Sequence, residues 1–311
     1  MNSLSTTYSG DDNPTGTPTS TKIITIADLN NLKKDKTILI AGFPGPGLVG
    51  SISTSYIIDK LEMYQIAFVE SHYISPGVIF IDGKLRHPFR LYANKQGNVC
   101  VLVCEAPIMM DGTHFVLDAV MDWAIKNSIE EVMVLDGIPV QGIPDSDRKA
   151  VILASENMEQ NNTNEQEVLS SKEDQDEHIS DHNINPQSNF NRSAIEDSSK
   201  KYTTFIGGIA GGLLSACLSY QIPCAAILIP SSSGIPDPEG ASLLIESFNN
   251  FINDDKLKIE TTQLKEQGQK LKKQLEQIIK AEQEQRAVGG GGGGGSSQED
   301  GNVSTHRFMY G

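Results

Sequence analysis

The chain has 311 residues, of which 38% are hydrophobic, and it carries 40 acidic against 25 basic side chains for a formal net charge of −15. That length accommodates one large domain or two smaller ones, and a hydrophobic share below the globular norm points to sizeable polar segments beside a folded core. The excess of acid argues against nucleic acid as a partner, because phosphate binding needs a basic face, and it suits a soluble cytoplasmic protein.

Residues 1–22 are rich in Ser, Thr, Asn and Gly and have no apolar core, so they read as a disordered arm and not as a secretory signal. Folded character begins near Ile23. Thr37-Ile38-Leu39-Ile40-Ala41 is a short apolar strand, Gly42 to Gly50 is a glycine and proline turn, and Leu48 to Glu62 has helical spacing. With the strand Gln65 to Val69 this predicts a βαβ unit. Val78 to Ile81 and Leu85 to Ala93, joined through Asp82-Gly83, predict a hairpin. Asn98 to Glu105 is the next strand, with Cys100 and Cys104 on one face. His114 to Asn127 is an amphipathic helix with Phe115, Leu117, Val120, Met121 and Ala124 inward and Asp118 and Asp122 on its wet face. Glu131 to Leu135 is a strand closed by Asp136-Gly137, and Ala150 to Ala154 is another.

Ser155 to Lys201 is dominated by Asn, Gln, Ser, Asp and Glu. Such a segment cannot bury enough surface to offset its ordering entropy, so residues 155–201 are expected to be a disordered insertion. Structure resumes at Tyr202, with a turn and helix over Gly207 to Ser219 and a strand over Ala225 to Ile229. Pro236-Asp237-Pro238 opens a further helix, with Ala241, Leu244, Ile245 and Phe248 on its apolar face. The apolar stretch Phe205 to Pro230 contains four glycines, Gln221 and Pro223, which fits a turn, a short helix and a buried strand and not a membrane span. Strands and helices alternate, and most strands are continuous apolar runs. That predicts an α/β domain over residues 23–253, with a mainly parallel sheet covered by helices on both faces.

Beyond the core, Leu257, Leu264, Leu271 and Ile278 recur every seven residues with Leu275 as one companion. This predicts a heptad helix over 254–288, although Thr261 and Gly268 stand where a second apolar seam belongs. The helix packs either in a marginal coiled coil or on its own domain. Residues 289–311 are expected to be a flexible tail. It opens with seven glycines, Gly289 to Gly295, and ends on Met309-Tyr310-Gly311. A flexible stretch of about twenty residues has an r.m.s. reach of about 25 Å.

Two site readings compete. Gly45-Pro46-Gly47-Leu48-Val49-Gly50 fits G-x-G-x-x-G between a strand and a helix, and Glu70 ends the next strand. Read as a dinucleotide-binding fingerprint, Gly45, Gly47 and Gly50 would admit a pyrophosphate and Glu70 would hold a ribose. Against it, Pro44 and Pro46 remove N–H donors from the loop, the Gly-Lys-Ser/Thr end of an NTP-binding loop is missing, and glycine turns also serve close packing. Glu70, His72, Glu105, Asp111, His114 and Asp136 fall at or just beyond predicted strand ends and read as caps and polar rim residues. No G-x-S-x-G elbow and no metal-ligand spacing is present, and Cys100, Cys104, Cys217 and Cys224 read as buried thiols in a reducing compartment. The expectation is therefore no catalytic residue, no cofactor and no metal.

The second reading concerns the chain end. An apolar residue, a tyrosine and a free terminal carboxylate on a tether suit insertion into a protein pocket. Met309-Tyr310-Gly311 resembles the hydrophobic–tyrosine–any-residue tail by which proteasome regulators dock between α-ring subunits. Ile40 to Gly50 resembles the opening strand and turn of the proteasome assembly chaperone 2 family. So do Val134-Leu135-Asp136-Gly137, the run Gly207 to Leu214, and Pro236 to Ala241. The resemblance covers residues 37–253 outside the insertion. It implies an α/β fold like phosphorylase-type sheets without a catalytic site. It also implies a homo-oligomer that binds proteasome α-subunits or the α-ring without nucleotide, with docking by Met309, Tyr310 and Gly311. The insertion and the glycine tether are longer than the family pattern. A scaffold whose tail binds another carboxylate pocket is the remaining alternative.

Overall fold

The continuous apolar runs of the sequence become the central strands of one sheet. A computed structural model describes residues 21–30, 32, 37–81, 83–158, 205–252 and 255–289. The strands are β1 (Lys22–Thr25), β2 (Thr37–Gly42), β3 (Tyr64–Glu70), β4 (Ile79–Ile81), β5 (Lys84–Arg86), β6 (Phe89–Ala93), β7 (Val99–Cys104), β8 (Ile129–Val140), β9 (Val151–Ala154) and β10 (Cys224–Ser232). The helices are α1 (Val49–Lys60), α2 (Thr113–Lys126), α3 (Gly208–Ser219), α4 (Pro238–Phe251) and α5 (Thr262–Gly289). Among the described strands, eight form one sheet in the order β1-β3-β6-β7-β2-β8-β10-β9, and β4 pairs with β5 alone. Strands β3, β7, β2, β8 and β10 point one way and β1, β6 and β9 the other, so the sheet is mixed and mainly parallel.

Both sheet faces are covered, which is why the strands do not alternate polar and apolar residues. On β7, Cys100, Leu102 and Cys104 join the core beneath α2 and α3. Val99, Val101 and Val103 join the opposite core, with α1 and α4. Each fully buried aliphatic side chain contributes about 1.5–3 kcal/mol of transfer free energy. Pro238 at the first position of α4 and Asp237, whose carboxylate accepts from the Gly240 N–H at 2.8 Å, start that helix where the sequence placed it. Ala241, Leu244, Ile245 and Phe248 are all buried as expected.

Several expectations are corrected. The segment Val78 to Ala93 is not one hairpin. Residues 79–81 and 84–86 form the separate two-stranded unit, while β6 enters the main sheet between β3 and β7. The unit β2–α1–β3 is not a simple βαβ, since β6 and β7 lie between its two strands. Strand β8 does not close at Asp136-Gly137 but runs on to Val140, paired with β10 throughout. Phe115 is 47% exposed and stacks on Tyr73 at 5.3 Å, while Val116 and Trp123 take the inward positions beside Leu117, Val120, Met121 and Ala124. Ser155 and Met158, expected to open the insertion, are buried in the folded core. The remainder of the insertion lies outside the described residues, as do residues 1–20 and 290–311.

The chain divides into two compact units, Met1–Gln269 and Lys270–Gly311. Within the first, Leu257, Ile259 and Leu264 belong to the same core as α1 and α4. The heptad segment therefore starts as packing on its own domain, with the helix itself beginning at Thr262. The two residues that spoiled the seam have local reasons. Thr261 donates to Glu246 Oε1 at 2.8 Å, and a Cβ on Gly268 would sit 2.4 Å from the Glu239 backbone nitrogen. Within the second unit, the described residues continue α5 to Gly289. No helix among the described residues is long and apolar enough to cross a membrane.

Candidate functional site

The glycine turn sits at the carboxyl end of β2, against the ends of β8 and β10. Gly47 has φ +64, a conformation glycine adopts without steric cost, and Leu48 follows at φ +52 before α1 begins. A Cβ on Gly47 would lie 2.0 Å from Ser231 Oγ, one on Gly45 would lie 2.3 Å from Asp136 Oδ1, and one on Gly50 would lie 2.4 Å from the Leu135 carbonyl oxygen. The space these glycines leave open is thus filled by atoms of β8 and β10. Glu70 is exposed at the end of β3, three places from β2. At about 4.8 Å per strand that is about 14 Å along the sheet. The structure brings Gly45, Gly47 and Gly50 together and leaves Glu70 apart.

The other strand-end candidates do not converge. His72, Asp111 and His114 are exposed, and so are Asp118 and Asp122. Glu105 is taken by Arg90, which is almost fully buried and also donates to the His87 carbonyl and, through Nε, to Tyr92 Oη at 3.0 Å. Among the described residues no group of three or more His, Cys, Asp or Glu is placed to hold a metal ion.

A polar cluster that sequence reasoning missed lies beside the turn. Arg148, in the connection from β8 to β9, donates from Nη2 to both carboxylate oxygens of Asp237, at 2.8 and 2.7 Å. Ser231 Oγ donates to Asp237 Oδ2 at 2.6 Å, and the Asp237 N–H donates to the Gly47 carbonyl at 2.8 Å. Arg148 Nη1 lies 3.9 Å from Glu239 Oε2 and donates to the Asp145 carbonyl at 2.9 Å. The Arg148, Asp237 and Glu239 side chains are 5%, 12% and 8% exposed. With the Gly240 N–H included, Asp237 accepts two hydrogen bonds on each oxygen. A carboxylate so saturated has no lone pair left for proton transfer. It joins the glycine turn, the end of β10, the β8–β9 connection and the start of α4. The available signal was the Asp-Pro start of α4, but nothing near Arg148 in sequence names its partner.

Asp136, half-buried over the turn, has its carboxyl pushed up from 3.8 to about 6 by burial, against a hydrogen bond from the Gly137 N–H. The folded chain therefore holds this proton more tightly than the unfolded one. The stabilisation is fully present below about pH 4 and is lost as pH rises through about 6, a span worth about 3 kcal/mol at most. Asp136→Asn keeps the oxygen facing Gly137 and removes the charge. It is expected to raise the melting temperature at about pH 8 and to leave it unchanged at about pH 4. Thermal melts at the two pH values check this, and an equal effect at both would contradict it.

Met309, Tyr310 and Gly311 lie outside the described residues. A family model described as the PAC2 family matches residues 39–279. None of the curated proteins matches the chain. Among solved structures, a Thermoplasma acidophilum protein of unknown function is 27% identical, with a TM-score of 0.58 over 84% of this chain and 92% of that one. Pyrococcus furiosus PbaA, described as an archaeal homolog of proteasome-assembly chaperone, is 18% identical, with a TM-score of 0.61 over 86% of this chain and 95% of its own. Pyrococcus furiosus PbaB, described as an archaeal proteasome activator, is 16% identical, with a TM-score of 0.58 over 84% and 99%.

Proposed function

The chain belongs to the PAC2 family, and from that premise we propose that it is a non-enzymatic, cytoplasmic proteasome-binding protein that docks its C-terminal tail in the proteasome α-ring to assist assembly or gating. The observation that carries this reading is the chain end, Met309-Tyr310-Gly311 behind the glycine run. Met309 and the Tyr310 ring fill an apolar cleft between α-subunits, and the Gly311 carboxylate meets a cationic group such as a lysine. The family membership and the fold shared with PbaA and PbaB support a proteasome partner. The crowded glycine turn supports a packing role for Gly45, Gly47 and Gly50 over a cofactor-binding one.

One tail buries little area and orders a flexible tether, so a single site binds weakly. Several tails on one homo-oligomer gain avidity by up to ~10²–10⁴ where pocket spacing matches. A surface that supports self-association is present. Val78, Phe80 and Leu85 on the small hairpin are 63%, 71% and 68% exposed, and Phe80 lies opposite Leu85. An isolated two-stranded hairpin is marginal in water, and apolar side chains so displayed mark interaction surfaces. Replacing both Phe80 and Leu85 with Asp is expected to convert the oligomer to monomers in light scattering. An unchanged mass would place the contact elsewhere.

The docking step is tested by pulling down purified α-rings with the wild-type chain and with Tyr310→Ala. The variant is expected to lose capture while its circular dichroism and melting temperature stay those of the wild type. Undiminished capture would reject docking by the tail.

A further inference from the structure

The first turns of α2 carry a surface that the proposed docking leaves unused. Strands β3 and β7 run the same way, and the segments leaving their carboxyl ends are tied together. Ile74 and Ile108 form an antiparallel bridge. The Ser75 N–H donates to the Pro107 carbonyl at 3.0 Å, and the Met109 N–H donates to the Tyr73 carbonyl at 2.8 Å. The Tyr73 ring lies across Gly112, where an added Cβ would sit 1.9 Å from its Cγ, and it stacks on Phe115 with the ring planes 7° apart. Thr113 Oγ1 donates to the Met109 carbonyl at 3.3 Å and fixes the loop to the helix. On this frame Met109 is 48% and Met110 85% exposed, beside the half-exposed Phe115 ring. Methionine is unbranched and polarisable and moulds to a partner's apolar side chains, while a fixed aromatic stack supplies an anchor.

Acids rim this platform. Asp118 and Asp122 follow Phe115 at i+3 and i+7 on the same side of α2, and both are exposed. They stand one turn apart, about 6 Å along the axis, so their like charges oppose one another. Among the described residues neither makes an ion pair, not even with Lys126 one turn beyond Asp122. Asp111 precedes the helix, where an acid favours the helix start, but Asp118 and Asp122 lie too far along for that role. Solvation alone accounts for two acids on a wet helix face. It does not account for the methionines and the ring displayed beside them.

We propose that this platform binds a basic amphipathic helical segment of a partner protein. An apolar side chain of the segment covers Met110 and the edge of the Tyr73–Phe115 stack, and two cations one turn apart on it reach Asp118 and Asp122. Charge selects against the other occupants. A second copy of this chain, net charge −15, bound across a two-fold axis here would set the acidic rim against itself. The long segments outside the described residues, 1–20, 159–204 and 290–311, each hold more acidic than basic side chains. The platform belongs to the folded domain and works without the tail.

The test titrates the full-length chain into a fluorescein-labelled amphipathic peptide of leucine and lysine, with lysines paired at i and i+4, and into its counterpart with glutamate for lysine. Fluorescence anisotropy is expected to show saturable binding of the lysine peptide and none of the glutamate peptide. Asp118→Asn combined with Asp122→Asn is expected to weaken binding at least about fivefold, and Met110→Ser to weaken it by a similar factor. Asp59→Asn combined with Glu266→Gln removes the same charge from exposed positions on α1 and the start of α5, whose core lies on the other face of the sheet. That pair is expected to change affinity less than about twofold, which separates the platform from the general attraction of an acidic chain. All of these positions are exposed, so melting temperatures are expected to stay within about 3 °C of wild type. Tyr310→Ala is expected to bind the peptide like the wild type, so failure of tail docking would leave this result standing. Equal weakening by the two charge-removing pairs, no effect of Met110→Ser, or no saturation by the lysine peptide would overturn the proposal. So would a smaller oligomeric mass for Met110→Ser, which would assign the surface to a second copy.

Discussion

Replacing Arg148 with alanine is expected to destabilise the folded chain by about 3–5 kcal/mol, because it removes one member of a buried ion pair and leaves the others uncompensated. Asp237 and Glu239 are 12% and 8% exposed, and their cationic partner is Arg148. The loss is large because Asp237 also caps α4 and meets the glycine turn through Gly47. Urea unfolding of wild type and variant checks it. A second substitution, Asp237→Asn, should recover part of the loss in the Arg148→Ala background, since asparagine still caps the helix but carries no charge. A change below about 1 kcal/mol for Arg148→Ala would mean that water already reaches the cluster.

Gly47→Val is expected to cost about 2–5 kcal/mol, from left-handed strain of about 1–2 kcal/mol and overpacking of about 1–3 kcal/mol. The new side chain would begin 2.0 Å from Ser231 Oγ and 2.8 Å from Asp237 Cβ, so β10 and the start of α4 must move. Gly208 provides an internal control. It has nearly the same backbone angle, φ +64, but nothing within 4 Å of an added Cβ. Gly208→Ala is therefore expected to cost only about 1 kcal/mol. Equal losses at the two positions would show that backbone strain alone governs the turn and that its packing on β8 and β10 does not matter.

The contrast between these glycines shows what the sequence made legible. The strand–turn–helix order over β2, the turn and α1 could be read because its signals are local: an apolar run, prolines and glycines, then helical spacing. The two covered faces of the sheet were likewise legible in the unbroken apolar runs of β2 and β7. Insertion of β6 between β3 and β7 was not, because pairing between distant strands leaves no mark on the residues that separate them. Gly83 stands at φ +74 between β4 and β5, but the hairpin formed by those strands is separate from the main sheet. Arg148 is 89 residues from Asp237 in sequence, so the cluster exists only once β8 and β10 are neighbours. Thr261 and Gly268 looked like faults in a heptad pattern because a seven-residue spacing does not say which groups the helix lies against. Their surroundings are Glu246 and the Glu239 backbone of the core. Phe115 was misassigned for a related reason. Helical periodicity finds an apolar face, but it does not say that an aromatic ring at its margin will stack on Tyr73 in the open.

The proposed docking requires that the Tyr310 ring and the Gly311 carboxylate both fit a cleft in the α-ring. The most direct measurement compares the affinity of purified α-rings for the wild-type chain with that for a chain carrying one extra residue after Gly311. If the tail docks as proposed, the added residue, which moves the carboxylate and leaves the folded residues untouched, is expected to lower affinity by at least about a hundredfold. Equal affinity of the two chains would contradict it.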